Sequence, residues 1–93
     1  MLMPVLEARC RYFHGARYDE RVAIETGLLD HGRATMRFGY RVRGEDGEGC
    51  AIGLTEHCFT TPDAKLVRPP AVLRELLAVA PAVDAELREQ LRG

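Results

Sequence analysis

A surplus of charge of either sign is missing from this sequence: 13 Lys and Arg against 14 Asp and Glu leave a formal net charge of -1. Without a basic balance there is no long-range attraction toward DNA, RNA or an anionic lipid surface, so neither nucleic acid nor membrane is expected as a partner. No apolar run reaches the roughly 20 residues of a membrane-spanning helix, and Met1 to Pro4 is too short for a signal peptide, so a cytoplasmic protein is expected. The three cysteines, Cys10, Cys50 and Cys58, are odd in number and lack C-x-x-C spacing, which argues against a disulfide framework and against a metal site. Each is expected to act as a small buried hydrophobe. Cys58 follows His57, but neighbours along a strand point to opposite faces and make a poor nucleophile–base pair. Internal repeats and low-complexity segments are also absent.

What remains is an ordinary globular composition, 46% hydrophobic and 29% charged over 93 residues, expected to form one domain over 1–93. Burial of apolar surface in a chain of this size contributes on the order of 145 kcal/mol, and ordering its residues costs roughly 140 kcal/mol. Extended-chain burial is an upper bound, so the near cancellation favours a second copy as stabilising partner.

Periodicity then gives the elements. Leu6, Ala8, Cys10 and Tyr12 alternate with Glu7, Arg9 and Arg11 from Val5 to Phe13, the pattern of a half-buried strand. A second strand is expected over Arg21 to Leu28, with Val22, Ile24, Thr26 and Leu28 on one side. The cleanest alternation runs from Arg33 to Arg43: Met36, Phe38, Tyr40 and Val42 face one way and Thr35, Arg37, Gly39 and Arg41 the other, which predicts one solvent-facing side. Gly44 to Gly49 supplies a glycine-rich hairpin turn into a fourth strand, Cys50 to Thr60. After Pro69 and Pro70, Leu73, Leu76, Leu77 and Ala80 form a helical stripe that Pro81 interrupts, and Val83, Leu87 and Leu91 continue at spacing four, giving a kinked helix or two short ones. The expected fold is α+β, a largely antiparallel sheet of about four strands whose apolar face the tail covers only in part.

The run from Pro4 through Phe13 and then Ala16-Arg17-Tyr18-Asp19-Glu20-Arg21-Val22-Ala23-Ile24-Glu25-Thr26 resembles the strand–turn–strand region of hot-dog-fold thioesterases, the 4-hydroxybenzoyl-CoA and acyl-CoA thioesterase-like proteins. The likeness continues through Leu29-Asp30-His31-Gly32-Arg33-Ala34-Thr35-Met36-Arg37-Phe38, the hairpin, the strand to Phe59 and Val67-Arg68-Pro69-Pro70, covering about residues 4 to 77. It implies a hot-dog sheet and an acyl-CoA or acyl-carrier-protein thioester as substrate or ligand, with no other cofactor and no metal. It also implies a homodimer or homotetramer in which sheets join edge to edge.

That family opens with a strand, an Asp-containing loop and a long helix carrying the catalytic carboxylate, and the resemblance enters at the strand after that helix. It therefore assigns no catalytic residue here. The expected activity is hydrolysis or binding of acyl thioesters; the alternative is a non-catalytic oligomer that binds acyl or CoA groups or only assembles. For CoA phosphates the resemblance points to Arg33, Lys65 and Arg68, through charge-assisted hydrogen bonds; solvated surface charges are the competing reading. Tyr12, Phe13, His14 and Tyr18 are implied as pocket-lining residues, against plain core packing. Asp19 and Glu20 suit a solvated turn better than catalysis, and His14, His31 and His57 are expected to be neutral, singly hydrogen-bonded imidazoles.

Overall fold

The alternating segments become β1 (Val5–Tyr12), β2 (Ala23–His31), β3 (Thr35–Arg43) and β4 (Gly49–Cys58), followed by α1 (Ala71–Val79) and α2 (Ala85–Gln90), in a computed structural model that describes residues 2–13 and 21–92. The strands form one antiparallel sheet in the order β1-β4-β3-β2, the α+β arrangement that periodicity predicts. The β3–β4 hairpin falls where the glycine-rich turn places it, with Thr35 opposite Cys58 and Val42 opposite Ala51. Gly47 takes φ 79° in that turn, where a side chain would be strained.

Two short helices replace a continuous one because Pro81 offers no N–H and drives the residue before it out of the helical region. Ala80 is extended at φ -65°, ψ 143°. The second helix starts at Asp84, whose side chain accepts a hydrogen bond from the Leu87 N–H at 2.8 Å, satisfying a donor that the first helical turn otherwise leaves unpaired.

These helices lie on opposite faces of the sheet. Leu77 of α1 joins Leu28, Met36 and Phe59 in a buried cluster, with Phe38 and Leu73 packed against it, so α1 covers one end of the Met36/Phe38/Tyr40/Val42 face. The chain then runs around the β2 edge, where the Leu28 N–H donates to the Pro81 carbonyl at 2.8 Å and the Val83 N–H donates to the Leu28 carbonyl at 3.0 Å. Beyond that edge, α2 presses Leu87 onto the other face. A Cβ at Gly39 would stand 2.8 Å from Leu91 Cδ1 and 2.9 Å from Val83 Cγ1, and one at Gly27 would stand 2.9 Å from the Val83 backbone nitrogen. Both glycines are therefore what allows the tail to approach.

This placement corrects three expectations. The Arg37/Gly39/Arg41 side of β3 is not a solvent face: Gly39 and Arg41 are buried because the tail crosses the β2 edge and packs there. Leu76 is 59% exposed, since the face of α1 that meets the sheet centres on Leu73 and Leu77. Cys10 is exposed while Cys50 and Cys58 are buried, because Cys10 lies on an edge strand over the part of the sheet that no helix covers.

Candidate functional site

With α1 over one end and α2 on the reverse, the middle of the apolar face stays open. Ala8, Cys10, Ile24, Tyr40, Val42 and Ala51 border a trough of about 370 Å³ there. Register explains its shape: Ala51 pairs with Val42, Gly53 with Tyr40 and Thr55 with Phe38, while Ala8 and Cys10 sit across from Thr55 and Gly53 on β1. Small residues on β1 and β4 make the floor; larger ones on β2 and β3 make a wall.

One polar feature runs along this apolar surface. The hydroxyls of Tyr40 and Thr55 are 2.8 Å apart, and the Thr55 hydroxyl is 3.0 Å from His57 Nε2. Phe38 meets the His57 ring edge-on, 5.7 Å between centroids. His57 Nδ1 is enclosed and has no hydrogen-bond partner. Tyr40 and Thr55 both line the trough. Sequence reasoning expects of His57 only an imidazole making one hydrogen bond and does not single out Tyr40 or Thr55 as site residues. The usable signal is parity: counted through the hairpin, all three fall on one face.

The residues singled out from the sequence are distributed differently. Tyr12 shares the trough's face but is 77% exposed at the end of β1, and a hydrogen bond with the Cys10 thiol raises its phenol above the ordinary value. Phe13 instead lines a hollow of about 300 Å³ with Arg41, Arg43 and Glu86. Arg33 lies between β2 and β3, and Lys65 and Arg68 lie after β4. Since Thr35 pairs with Cys58, all three leave the sheet at the same end. Each is exposed, and Lys65 approaches Asp63 at 3.9 Å. His31 closes β2 rather than sitting in a turn. His14, Tyr18, Asp19 and Glu20 lie outside the described residues. Among the described residues no group of three or more His, Cys, Asp or Glu side chains is placed to hold a metal ion, and no helix is long and apolar enough to cross a membrane.

On the reverse face the electrostatics tie the tail to the sheet. Arg41, buried in the sheet, donates from Nη1 and Nη2 to the two Asp84 carboxylate oxygens at 2.8 and 2.9 Å, and from Nη1 to Glu25 at 3.2 Å. Such a two-pronged arginine–carboxylate contact fixes orientation as well as charge. Arg41 and the Leu87 N–H hold the Asp84 carboxyl well below the usual carboxylate range, and Asp84 in turn raises Arg41. Arg43, at 2.6 Å from Glu25, lowers that carboxyl with help from Arg41, and Arg37 does the same for Asp30. These pairs are structural: none lies in the trough.

An antiparallel sheet with this strand order, carrying an apolar trough on one face, defines a hot-dog-type α+β domain. The chain belongs to the thioesterase-like superfamily, whose pattern it matches over residues 1–90. Among solved structures it is similar to a hypothetical protein from Aquifex aeolicus, at 30% identity and TM-score 0.74 over 82% of this chain and 59% of that one. A hypothetical protein from Thermus thermophilus matches at 29% identity and TM-score 0.76, over 84% and 59%. A thioesterase from the same species, complexed with coenzyme A and Zn, matches at 20% identity and TM-score 0.72, over 81% and 56%, and there the likeness is one of fold. The chain thus spans under three-fifths of the length of these structures. No match was found among curated proteins.

Proposed function

We propose that this domain binds the acyl part of an acyl-CoA or acyl-carrier-protein thioester in the open trough, as a thioesterase-type unit. The observation that carries this reading is the superfamily match over residues 1–90 together with an open apolar trough of ligand size on the same sheet. Ligand pockets are mostly apolar with a few placed polar groups, and the Tyr40–Thr55–His57 string supplies those. Arg33, Lys65 and Arg68, at one end of the sheet, would meet the phosphates of CoA, which arginine grips in forked fashion. The relative with coenzyme A in its structure supports that ligand class. The outer edge of β1 has no strand beside it among the described residues, and such an edge invites pairing with a second copy, as homodimer or homotetramer.

Hydrolysis needs a carboxylate or imidazole acting as nucleophile or as base for water. Among the described residues the trough is lined by a phenol, a hydroxyl and a thiol but by no carboxylate. The alternative reading is binding without hydrolysis by these residues. The test is turnover of a panel of aliphatic and aromatic acyl-CoAs by the 93-residue chain, with light scattering on the same sample. Turnover well above background establishes the enzyme and directs replacement of Asp19, Glu20 and His14. Folded oligomer with saturable acyl-CoA binding and no turnover establishes the binding unit. Absence of any acyl-CoA binding refutes both.

A further inference from the structure

On β2 the Leu28 N–H and carbonyl point out of the sheet, and the tail takes both, at Pro81 and Val83, in a single parallel bridge of Leu28 with Ala82. Leu29 is the extra residue where the β2–β3 register shifts, and its carbonyl accepts from Arg88 Nη1 at 2.8 Å. This bridge does not extend the sheet. Pro81 has no N–H and α2 begins two residues after Val83, so the strap presents no run of donors and acceptors to a further strand. It is pinned from the reverse face by the two Arg41–Asp84 hydrogen bonds and by buried Leu87.

Alternation shows what the strap prevents. Because Leu28 turns its backbone outward, so do Ile24 and Thr26; on β1 the Phe13 N–H bonds to the Cys50 carbonyl, which leaves Ala8, Cys10 and Tyr12 as the outward residues. Both sets carry their side chains on the trough face, and β1 and β2 run in opposite directions. The β1 edge of one copy therefore matches the β2 edge of another in direction, face and hydrogen-bond parity, and each addition leaves one edge of each kind exposed. Such a head-to-tail contact does not close.

We propose that the 81–83 strap is an edge guard: by occupying β2 at Leu28, with Arg88 on Leu29, it shuts out β1–β2 and β2–β2 pairing between copies, so that a second copy of this chain joins only β1 to β1, in a two-fold contact that closes. This rests on the proposed pairing at the β1 edge and adds what limits it. Between the strap and the start of β2 only Ile24 and Thr26 remain as outward residues, too short a run to hold a strand.

The experiment follows mass by sedimentation velocity over a wide concentration range of the 93-residue chain, with amide exchange as the report on each edge. Wild-type mass is expected to level off at a small fixed number of chains. Gly27→Ala, whose Cβ would stand 2.9 Å from the Val83 nitrogen, and Val83→Pro, which removes the donor to Leu28 without altering the sheet, both release the strap and speed exchange at Leu28 in dilute samples. Their mean mass then rises roughly as the square root of concentration, the behaviour of open-ended association, and Thr26 gains protection as it does. Adding Thr26→Pro, a proline where the N–H faces outward and costs β3 no bond, returns each variant to the wild-type mass. Growth that Thr26→Pro does not stop, variants that keep the wild-type mass while Leu28 exchanges freely, or a wild-type chain that itself grows without limit overturns the guard. Slow exchange at Leu28 in both variants overturns it too, as does unfolding of Val83→Pro by far-ultraviolet circular dichroism, which makes the strap a requirement of the sheet itself. A wild-type chain that stays monomeric removes the β1 pairing instead; the released variants then stop at a dimer through β2, which Thr26→Pro dissolves.

Discussion

Replacing Gly27 by alanine tests whether the tail is held by backbone approach at the β2 edge. The added Cβ would stand 2.9 Å from the Val83 nitrogen, 3.0 Å from the Ala82 carbonyl carbon and 3.1 Å from Val83 Cγ1. The two nearest atoms are main chain, so no rotamer change relieves them, and the 82–83 segment has to move off the edge. That movement disrupts the hydrogen bonds Leu28 N–H to Pro81 carbonyl and Val83 N–H to Leu28 carbonyl. At about 1 kcal/mol net for each bond, with a further 1 kcal/mol or so for packing strain, the loss is about 3 kcal/mol. The lower backbone entropy of unfolded alanine and its better strand propensity return about 0.5–1 kcal/mol. A net destabilisation of about 2 kcal/mol follows.

Urea unfolding reads that difference directly. With a slope of about 1 kcal/mol/M for a small domain, the midpoint falls by about 2 M, and amide exchange at Leu28 and Val83 accelerates more than exchange within β3–β4. Gly39→Ala supplies the contrast, because its nearest obstacles are the side-chain ends Leu91 Cδ1 and Val83 Cγ1. In a double-mutant cycle Leu91→Ala relieves Gly39→Ala, giving a sub-additive pair, whereas Val83→Ala leaves the backbone clash at Gly27→Ala in place and the two effects add. An unchanged midpoint in Gly27→Ala, or relief of it by Val83→Ala, refutes the account of the edge.

Two further outcomes follow from the same strap. Leu87→Ala, at a site only 3% exposed, is expected to cost about 2–5 kcal/mol in urea unfolding, and a cost below about 1 kcal/mol means that α2 is not seated on the sheet. Asp84, Glu25 and Asp30 all have carboxyls depressed by arginine. Their contribution to stability is therefore complete above the ordinary carboxylate values and is lost as pH falls below about 4.5 toward the depressed ones. Urea midpoints at about pH 7, 5, 4 and 3 measure it, and Asp84→Asn is expected to flatten the acid end of that profile; an identical slope in the variant shows that the Asp84 ion pair with Arg41 contributes nothing.

The strand segments were legible because alternation is a one-dimensional signal: Met36 to Val42 reads as a strand without reference to anything distant. The break at Pro81 was legible for the same reason, since a missing donor and the steric effect on Ala80 act locally. Which side of the sheet each half of the tail would cover was not. Leu73 and Leu77 have the same spacing as Val83 and Leu87, and periodicity alone cannot tell that the chain crosses an edge between them. The two glycines carried the missing information: Gly27 and Gly39 are adjacent partners in the β2–β3 register, and a pair of side-chain-free positions on one face marks where another segment lies close.

The same crossing explains why the site residues were hard to find. Reading Arg37, Gly39 and Arg41 as a wet face sends both halves of the tail to the apolar side, which they are then expected to cover in part, and nothing in that reading separates Tyr40, Thr55 and His57 from core residues. Once α2 is seated on the arginine side, with Arg41 neutralised by Asp84 and Glu25, the helix that could have covered Tyr40 is committed elsewhere. The exposure of the Tyr40–Thr55–His57 string is therefore a consequence of the tail's route. Variants that detach α2, Gly27→Ala first among them, should alter acyl-CoA binding only by freeing that helix to compete for the trough, so weakened binding in Gly27→Ala that is restored by also removing residues 84–93 would tie the strap and the site to one structural choice.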